Sequence, residues 1–339
     1  MLPSLHIQGF RCFRDLTIPH LGRVNLVVGK NNVGKTTVLE ALRVHAARGD
    51  APIELYEILN ARGDVVRDKR GQQRQLDWMR LFHGGGKDST PRLSIGPLEE
   101  ADQTFCAEMR MNESVVHYKF GIDDRFPSDP LFSLVNAGPP SPWPHALEPL
   151  RCRFMATSGL DPDESARIWD GIVLTDLEEV CLRALRIVEP DIQRIALVEV
   201  PGSAGREVER APYVSLASGD RPEPLHSLGE GMNRLYDLTL GMIDARGGRL
   251  LVDEIENGLH YSIHGDMWRY VFQVATELDV QVFATTHSWD CIQAFQAAAS
   301  EHAEEGVLIR LERRDGDVRA FLFDEDELSV VAEQAIEVR

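Results

Sequence analysis

Four short stretches of the 339-residue chain hold residue types whose spacing can do phosphate chemistry. The first, GKNNVGKT (29–36), fits G-x-x-x-x-G-K-[ST] in full. It follows the apolar run RVNLVVG (23–29) and opens a helical pattern, KTTVLEALRVHAARG, which is the context this motif requires. Glycines at 29 and 34 let backbone N–H groups approach phosphate oxygens, and the helix N-terminus adds the positive end of its dipole. Gly29, Lys30, Asn31, Asn32, Val33, Gly34, Lys35, Thr36 and Thr37 are therefore the candidate nucleotide-binding residues. Lys35 reaches the β- and γ-phosphates, Thr36 offers a hydroxyl to Mg²⁺, and Thr37 supports it. The second stretch, LLVDEIENGLHY (250–261), places two acids at the end of an apolar strand. Asp253 is the candidate Mg²⁺ ligand, and Glu254 the candidate general base on an attacking water. The third, VFATTHS (282–288), ends an apolar strand on His287, placed to sense the γ-phosphate or the water. The fourth, HSLGEGMNRL (226–235), sets Ser227, Gly229 and Gly231 just ahead of a helical pattern, with no nucleophile beside them.

Positioning these groups requires particular elements. The start alternates like strands at 5–10, 15–18 and 23–29. Short helices are expected at 52–61 and 75–83, and a strand meander at 92–98, 103–111 and 115–122. The stretch 123–149 is rich in Pro, Gly and Ser and reads as an irregular connection. From residue 151 strands and helices alternate. Strands are expected at 151–157, 192–200, 249–254 and 280–286, and helices at 162–188, 231–245, 261–278 and 288–299. Two further strands and a last helix end the chain. Alternation of this kind predicts a mostly parallel sheet with helices on its faces. The fold class read from the sequence is α/β. It is a P-loop nucleotide-binding core with an antiparallel β part and a helical insertion, organised as a single domain (1–339) interrupted by inserted material over 50–190.

Composition excludes some roles. A formal net charge of -18 argues against coating nucleic acid through a broad basic face. The five cysteines are scattered and form no CxxC, which disfavours a disulfide framework or zinc site and suits a reducing cytoplasm. No apolar run reaches the roughly 20 residues needed to span a bilayer, so no membrane association is expected. The N-terminus lacks a signal-peptide layout. The Arg-rich stretch 62–80 reads either as a phosphate-facing patch or as a solvated loop. GGGKD (84–88) lacks a strand before it and reads as a turn. His260 and His264 lie four apart on an expected helix, but no third zinc ligand is evident.

The order of phosphate loop, SLGEG (227–231), Asp253–Glu254 and His287 resembles the ATP-binding-cassette superfamily. There SLGEG looks like a variant of the Ser-Gly-Gly signature. The resemblance implies an ABC-type ATPase head that dimerises head to tail around Mg-ATP. Ser227, Gly229 and Gly231 of one copy would then cap the ATP held by the other. About 190 residues separate loop and signature, unlike the shorter span of transporter cassettes. The opening IQGFRCFRDLTI (7–18) and the DEIENGLHY run look like the RecF, SMC and OLD-type ATPases, with Ile255 and Tyr261 where the OLD-type run has prolines. The chain is similar to the stand-alone ATPase component of OLD-like two-gene systems. That resemblance implies an ATPase switch acting beside a separate nuclease or TOPRIM-like effector, with nucleic acid as a further partner, in phage defence or DNA repair. It also matches Arg11 to a position against the adenosine portion, with a surface Arg after a strand as the equal alternative, and it leaves the glutamine lid open, since Gln72, Gln73 and Gln75 read more simply as parts of an exposed polar loop. It covers both ends of the chain and leaves about 90–190 without a counterpart. The alternatives are the ATPase subunit of a membrane transporter, against which the long insertion counts, and an ATP-bound scaffold with negligible turnover that holds a toxic effector inactive.

Overall fold

Strands β1 (Leu5–Phe10), β2 (Phe13–Ile18) and β3 (Val24–Gly29) lead into helices α1 (Lys35–Ala47) and α2 (Ala51–Arg62). This is a computed structural model that describes residues 1–67, 74–85, 91–110, 115–120, 132–133, 148–201, 208–217, 219, 221–302 and 305–323. After a hairpin of β4 (Val65–Arg67) and β5 (Arg74–Leu76) come β6 (Arg92–Gly96), β7 (Phe105–Arg110), β8 (Val115–Phe120), β9 (Phe132–Ser133) and β10 (Cys152–Met155). Helices α3 (Pro162–Ile172) and α4 (Asp176–Leu185) precede β11 (Ile192–Pro201), β12 (Val208–Leu216) and β13 (Glu223–Pro224). The remainder runs α5 (Glu230–Asp244), β14 (Arg249–Val252), α6 (His264–Glu277), β15 (Gln281–Thr285), α7 (Trp289–Ala299), β16 (Gly306–Arg314) and β17 (Asp317–Phe323).

The central sheet has the order β10-β14-β15-β3-β16-β17. Its first five strands pair in parallel and β17 folds back antiparallel on β16. The strands β3, β14 and β15 are continuous apolar runs because both faces are covered. On one face Leu26, Leu250, Val252, Val282 and Leu308 pack with α3 to α7. On the other, Val27, Leu251, Phe283 and Ile309 pack with α1, α2 and a second sheet. That second sheet, β2-β1-β6-β7-β8-β9, is antiparallel throughout, so α1 lies between two sheets. A third sheet, β11-β12-β13, is also antiparallel. β10 lies within the 50–190 stretch and forms one edge of the parallel sheet.

The structure corrects three local expectations. Residues 75–83 are not a helix. Arg74–Leu76 pair with Val65–Arg67, and the Asp77 carboxylate accepts from the Met79 N–H, capping only a tight 3-10 turn at Trp78–Leu81. The single helix expected over 162–188 breaks at Val173–Thr175. There Leu174 takes φ 64, and the Thr175 hydroxyl donates to the Ile172 carbonyl and accepts from Leu177 N–H, starting α4. Strand β12 is not anticipated because Pro212 interrupts its pattern. The strand tolerates the proline where β13 pairs only with Tyr213 and Val214. The helix expected after β17 and most of 123–149 lie outside the described residues.

Candidate functional site

The site forms at the C-terminal edge of the parallel sheet, where β3, β14 and β15 all end. At the turn from β3 to α1, Gly29 has φ 143, Asn32 φ 62 and Gly34 φ 115. A Cβ on Gly34 would lie 2.7 Å from both the Cys12 sulfur and Phe13 Cζ, so only glycine fits there. Lys30, Asn31 and Asn32 are exposed, whereas Val33 is buried and anchors the loop. Helix α1 starts with no side-chain cap and no acid in its first turn. Its leading N–H groups and dipole are thus left for an anion. Lys35, only 6% exposed, curls back so that Nζ donates to the carbonyls of Gly29 (2.8 Å) and Lys30 (3.3 Å). Burial pulls its pKa down, and the nearby Asp253, Glu254 and Glu256 carboxylates oppose that shift. Thr37 is buried and hydrogen-bonds the Cys12 side chain, tying the loop to the N-terminal strands.

Across from the loop, the Thr36 hydroxyl donates to Asp253 Oδ2 at 3.1 Å. Asp253 Oδ1 accepts from the Thr285 hydroxyl at 2.6 Å. A hydroxyl and a carboxylate brought together beside an uncapped helix N-terminus fit Mg²⁺, which takes one or two protein oxygens and completes its shell with water and phosphate. Thr36 and Asp253 would hold the ion. When bound, it neutralises charge developing on phosphate oxygens. Glu254 stands at φ 49, a backbone conformation uncommon outside glycine, held by its N–H to Thr285 Oγ1 at 2.9 Å. Its Oε1 lies 3.6 Å from His287 Nε2. His287 Nδ1 in turn lies 3.4 Å from Lys35 Nζ, so the imidazole links the base candidate to the phosphate-loop lysine.

Two residues that the sequence reading passes over hold this arrangement. Glu256 Oε1 accepts the N–H groups of His287 (2.9 Å) and Ser288 (3.2 Å), fixing the end of β15. Arg234, buried in α5, donates to five carbonyls: Ala156, Thr157, Asp253, Glu254 and Ile255. It therefore clamps the turn that carries both acids. Burial lowers its pKa. No local signal marks it in the sequence, since its helical neighbours Glu230, Gly231, Asp237 and Leu238 form a mixed face.

Ser227 and Gly229 are exposed, and among the described residues they share no hydrogen bond with 29–37 of their own chain. The Ser227 hydroxyl donates to the Pro224 carbonyl at 2.7 Å. Gly229 precedes α5 at φ 108 with open space around it, whereas Gly231 packs against the Gly258 carbonyl. The Arg11 guanidinium, 9% exposed, pairs with Glu40 and Asp64, each at 3.0 Å. In the Arg-rich stretch, Arg62 pairs with Glu40 and Arg80 with Asp77. Gln72, Gln73, Lys69, Arg70 and Lys87 lie outside the described residues, and Gln75 sits in β5. No group of three metal-ligating side chains occurs among the described residues. His260 instead hydrogen-bonds Ser262 and His264 is buried. All five cysteines are free. No described helix is long and apolar enough to cross a membrane.

Comparison with known proteins divides the chain in the same way. Residues 1–72 match the AAA ATPase domain family, and residues 191–290 match a family described as AAA domain, putative AbiEii toxin, Type IV TA system. An uncharacterized Methanocaldococcus jannaschii protein is 45% identical over 42 residues, 12% of this chain and 19% of that protein, so the chain spans about a fifth of its length. A Helicobacter pylori protein named ATP/GTP phosphatase is 21% identical over 349 residues, covering 89% of each. Among solved structures, an SmcHead bound to the C-winged helix domain of ScpA aligns over 97% of this chain and 99% of its own. The TM-score is 0.57 at 12% identity. An Smc head with an extended coiled coil, bound to a ScpA domain from Pyrococcus furiosus, covers 98% and 99% with TM-score 0.54 at 11% identity. The fold is that of an SMC-head-like α/β P-loop ATPase, assembled from an N-terminal and a C-terminal segment that each match AAA-type ATPase domains.

Proposed function

We propose that this protein is an ATP-hydrolysing switch. It closes head to tail with a second copy around two Mg-ATP molecules and regulates a separate effector of nuclease or TOPRIM type, or acts on nucleic acid, in phage defence or DNA repair. The observation that carries the hydrolytic part is the convergence of Lys35, Thr36–Asp253 and Glu254–His287 at one sheet edge. In this reading Lys35 and the loop N–H groups hold the phosphates. Glu254 takes a proton from the attacking water, and His287 orients that water against the γ-phosphate. Arg234 keeps both acids in place.

Ser227 and Gly229, exposed and sharing no hydrogen bond with residues 29–37 among the described residues, support completion of the site by a second copy. The Smc heads with ScpA domains bound lend support to a protein partner on such a fold. Phosphate release by the purified protein with Mg-ATP tests the reading. Release that persists undiminished in Glu254→Gln would rule out the assigned base. A second reading, an ATP-bound scaffold that holds a toxic effector inactive, draws on the toxin–antitoxin description of the family matched at 191–290. Turnover well below about one per minute, unaffected by added DNA or RNA, would favour it, since working enzymes turn over at roughly 1–1000 per second.

A further inference from the structure

At the other end of the parallel sheet lies a second concentration of charge, which ATP chemistry leaves unused. A cavity of about 310 Å³ opens beside the start of β14 and is lined by Arg48, Arg151 and Arg249, with Gln103, Gly248 and Asp279. The lining carries three arginines and one carboxylate, in a chain whose formal net charge is -18; Arg48 and Arg151 also donate to the carbonyls of Glu148 (3.4 Å) and Arg246 (3.3 Å). That carboxylate, Asp279, is largely exposed and already pairs with Arg23 at 3.0 Å. A neighbouring cavity near β10 differs: there Arg43 and Arg153 pair with Glu54 and Glu164.

Arg249 is the decisive residue. It is 6% exposed, and among the described residues its guanidinium has one hydrogen-bond partner, His45 Nδ1 at 2.9 Å, and no carboxylate within ion-pair reach. His45 is fully buried, and burial together with Arg249 pushes its pKa down to about 3. It is therefore neutral. Nδ1 accepts from Arg249 while Nε2–H donates to the Gln103 carbonyl at 2.9 Å. The imidazole thus orients the guanidinium without neutralising it. Burying an unpaired cation is costly unless something supplies the counter-charge. Arg48, which ends α1, stands at φ 49, a conformation that a non-glycine residue adopts only when its surroundings impose it. The arginine fork matches the oxygens of a phosphate group bidentately. The cavity volume sits at the small end of sites for small molecules.

We infer that Arg48, Arg151 and Arg249 form a second anion site that binds the phosphate group of a small phosphorylated molecule. The ligand is free phosphate or a mononucleotide. The site lies at the end of β14 opposite Asp253 and uses no residue of the phosphate loop. Helix α1 and strand β14 both run from it to the ATP site, which places it where an effector would bind rather than a substrate. The test is calorimetry on the full-length Lys35→Ala protein, in which the phosphate loop binds its ligand at least about tenfold more weakly, with inorganic phosphate, pyrophosphate and AMP as probes. Saturable binding of at least one probe at a single site is expected. It should weaken at least tenfold when Arg151→Ala or Arg48→Ala is added, and be lost with Arg249→Gln. AMP binding more tightly than phosphate identifies a nucleotide ligand, and equal affinities identify free phosphate. Arg249→Gln is judged only if its melting curve shows a folded protein; the two less buried variants decide otherwise. No saturable binding of any probe, or affinities unchanged by both Arg48→Ala and Arg151→Ala, overturns the site.

Discussion

At the residue scale, Lys35, Glu254 and Arg234 make separable contributions. Lys35→Ala removes a charge-assisted contact worth about 1.5–3 kcal/mol, so ATP affinity measured by calorimetry should fall by roughly 10- to 100-fold. Unchanged affinity would remove the phosphate loop from nucleotide binding. Glu254→Gln should retain ATP binding while phosphate release drops on the order of 10²–10⁴-fold, the range of general-base catalysis. Arg234→Met keeps much of the apolar packing yet orphans five carbonyls. It should lower stability by about 3 kcal/mol, given the cost of unsatisfied buried groups, and lower kcat more than nucleotide affinity. A variant with wild-type kcat would show that the acid-bearing turn holds itself.

At the element scale, conformation and caps decide. Gly34→Ala would force a Cβ to 2.7 Å from Cys12 and Phe13 at φ 115. Stability should drop by about 1–3 kcal/mol, and nucleotide binding should go with it. A denaturation midpoint equal to wild type would contradict that. The sequence legibly predicts β3, α1, α5, β14 and β15, because each is a long apolar pattern bounded by a glycine or a polar stop. It is illegible where local and tertiary preferences compete. Leu174 takes a left-handed turn and Thr175 caps a new helix inside an unbroken helical period. Arg74–Leu76 look helical and instead pair with Val65–Arg67.

At the scale of the whole molecule, two properties can be read. The proposed head-to-tail arrangement predicts complementation in trans. Lys35→Ala and Gly229→Glu proteins, each inactive alone, should regain phosphate release when mixed, because one site of the mixed dimer has an intact loop and an intact signature. A mixture as inactive as its components would count against the shared site. Glu254→Gln with Mg-ATP should also run as a dimer by light scattering. Stability should respond to acid through His45. Its folded pKa is depressed to about 3 from the ordinary 6.5, so the unfolded chain takes up a proton that the folded chain refuses. The stability that neutral His45 contributes is present above pH about 6.5 and is lost as pH falls toward 3. His45→Gln should flatten the fall in melting temperature between pH 6.5 and 4.

The sequence by itself brought out the candidate phosphate site. The phosphate loop, the paired acids and the strand-ending histidine are each local patterns, and their order along the chain was enough to bring out the P-loop core. Only the tertiary structure decided which groups support that chemistry. Arg234 and Glu256 act on backbone atoms from other elements, up to about 78 and 32 residues away in sequence, and no local pattern encodes such contacts. The same holds for Arg11, whose ion pairs with Glu40 and Asp64 come from two helices and a turn distant in sequence. It holds too for Arg48, Arg151 and Arg249, which are ordinary surface-type residues in the sequence. They become one cavity only because α1, β10 and β14 begin and end at the same edge of the sheet.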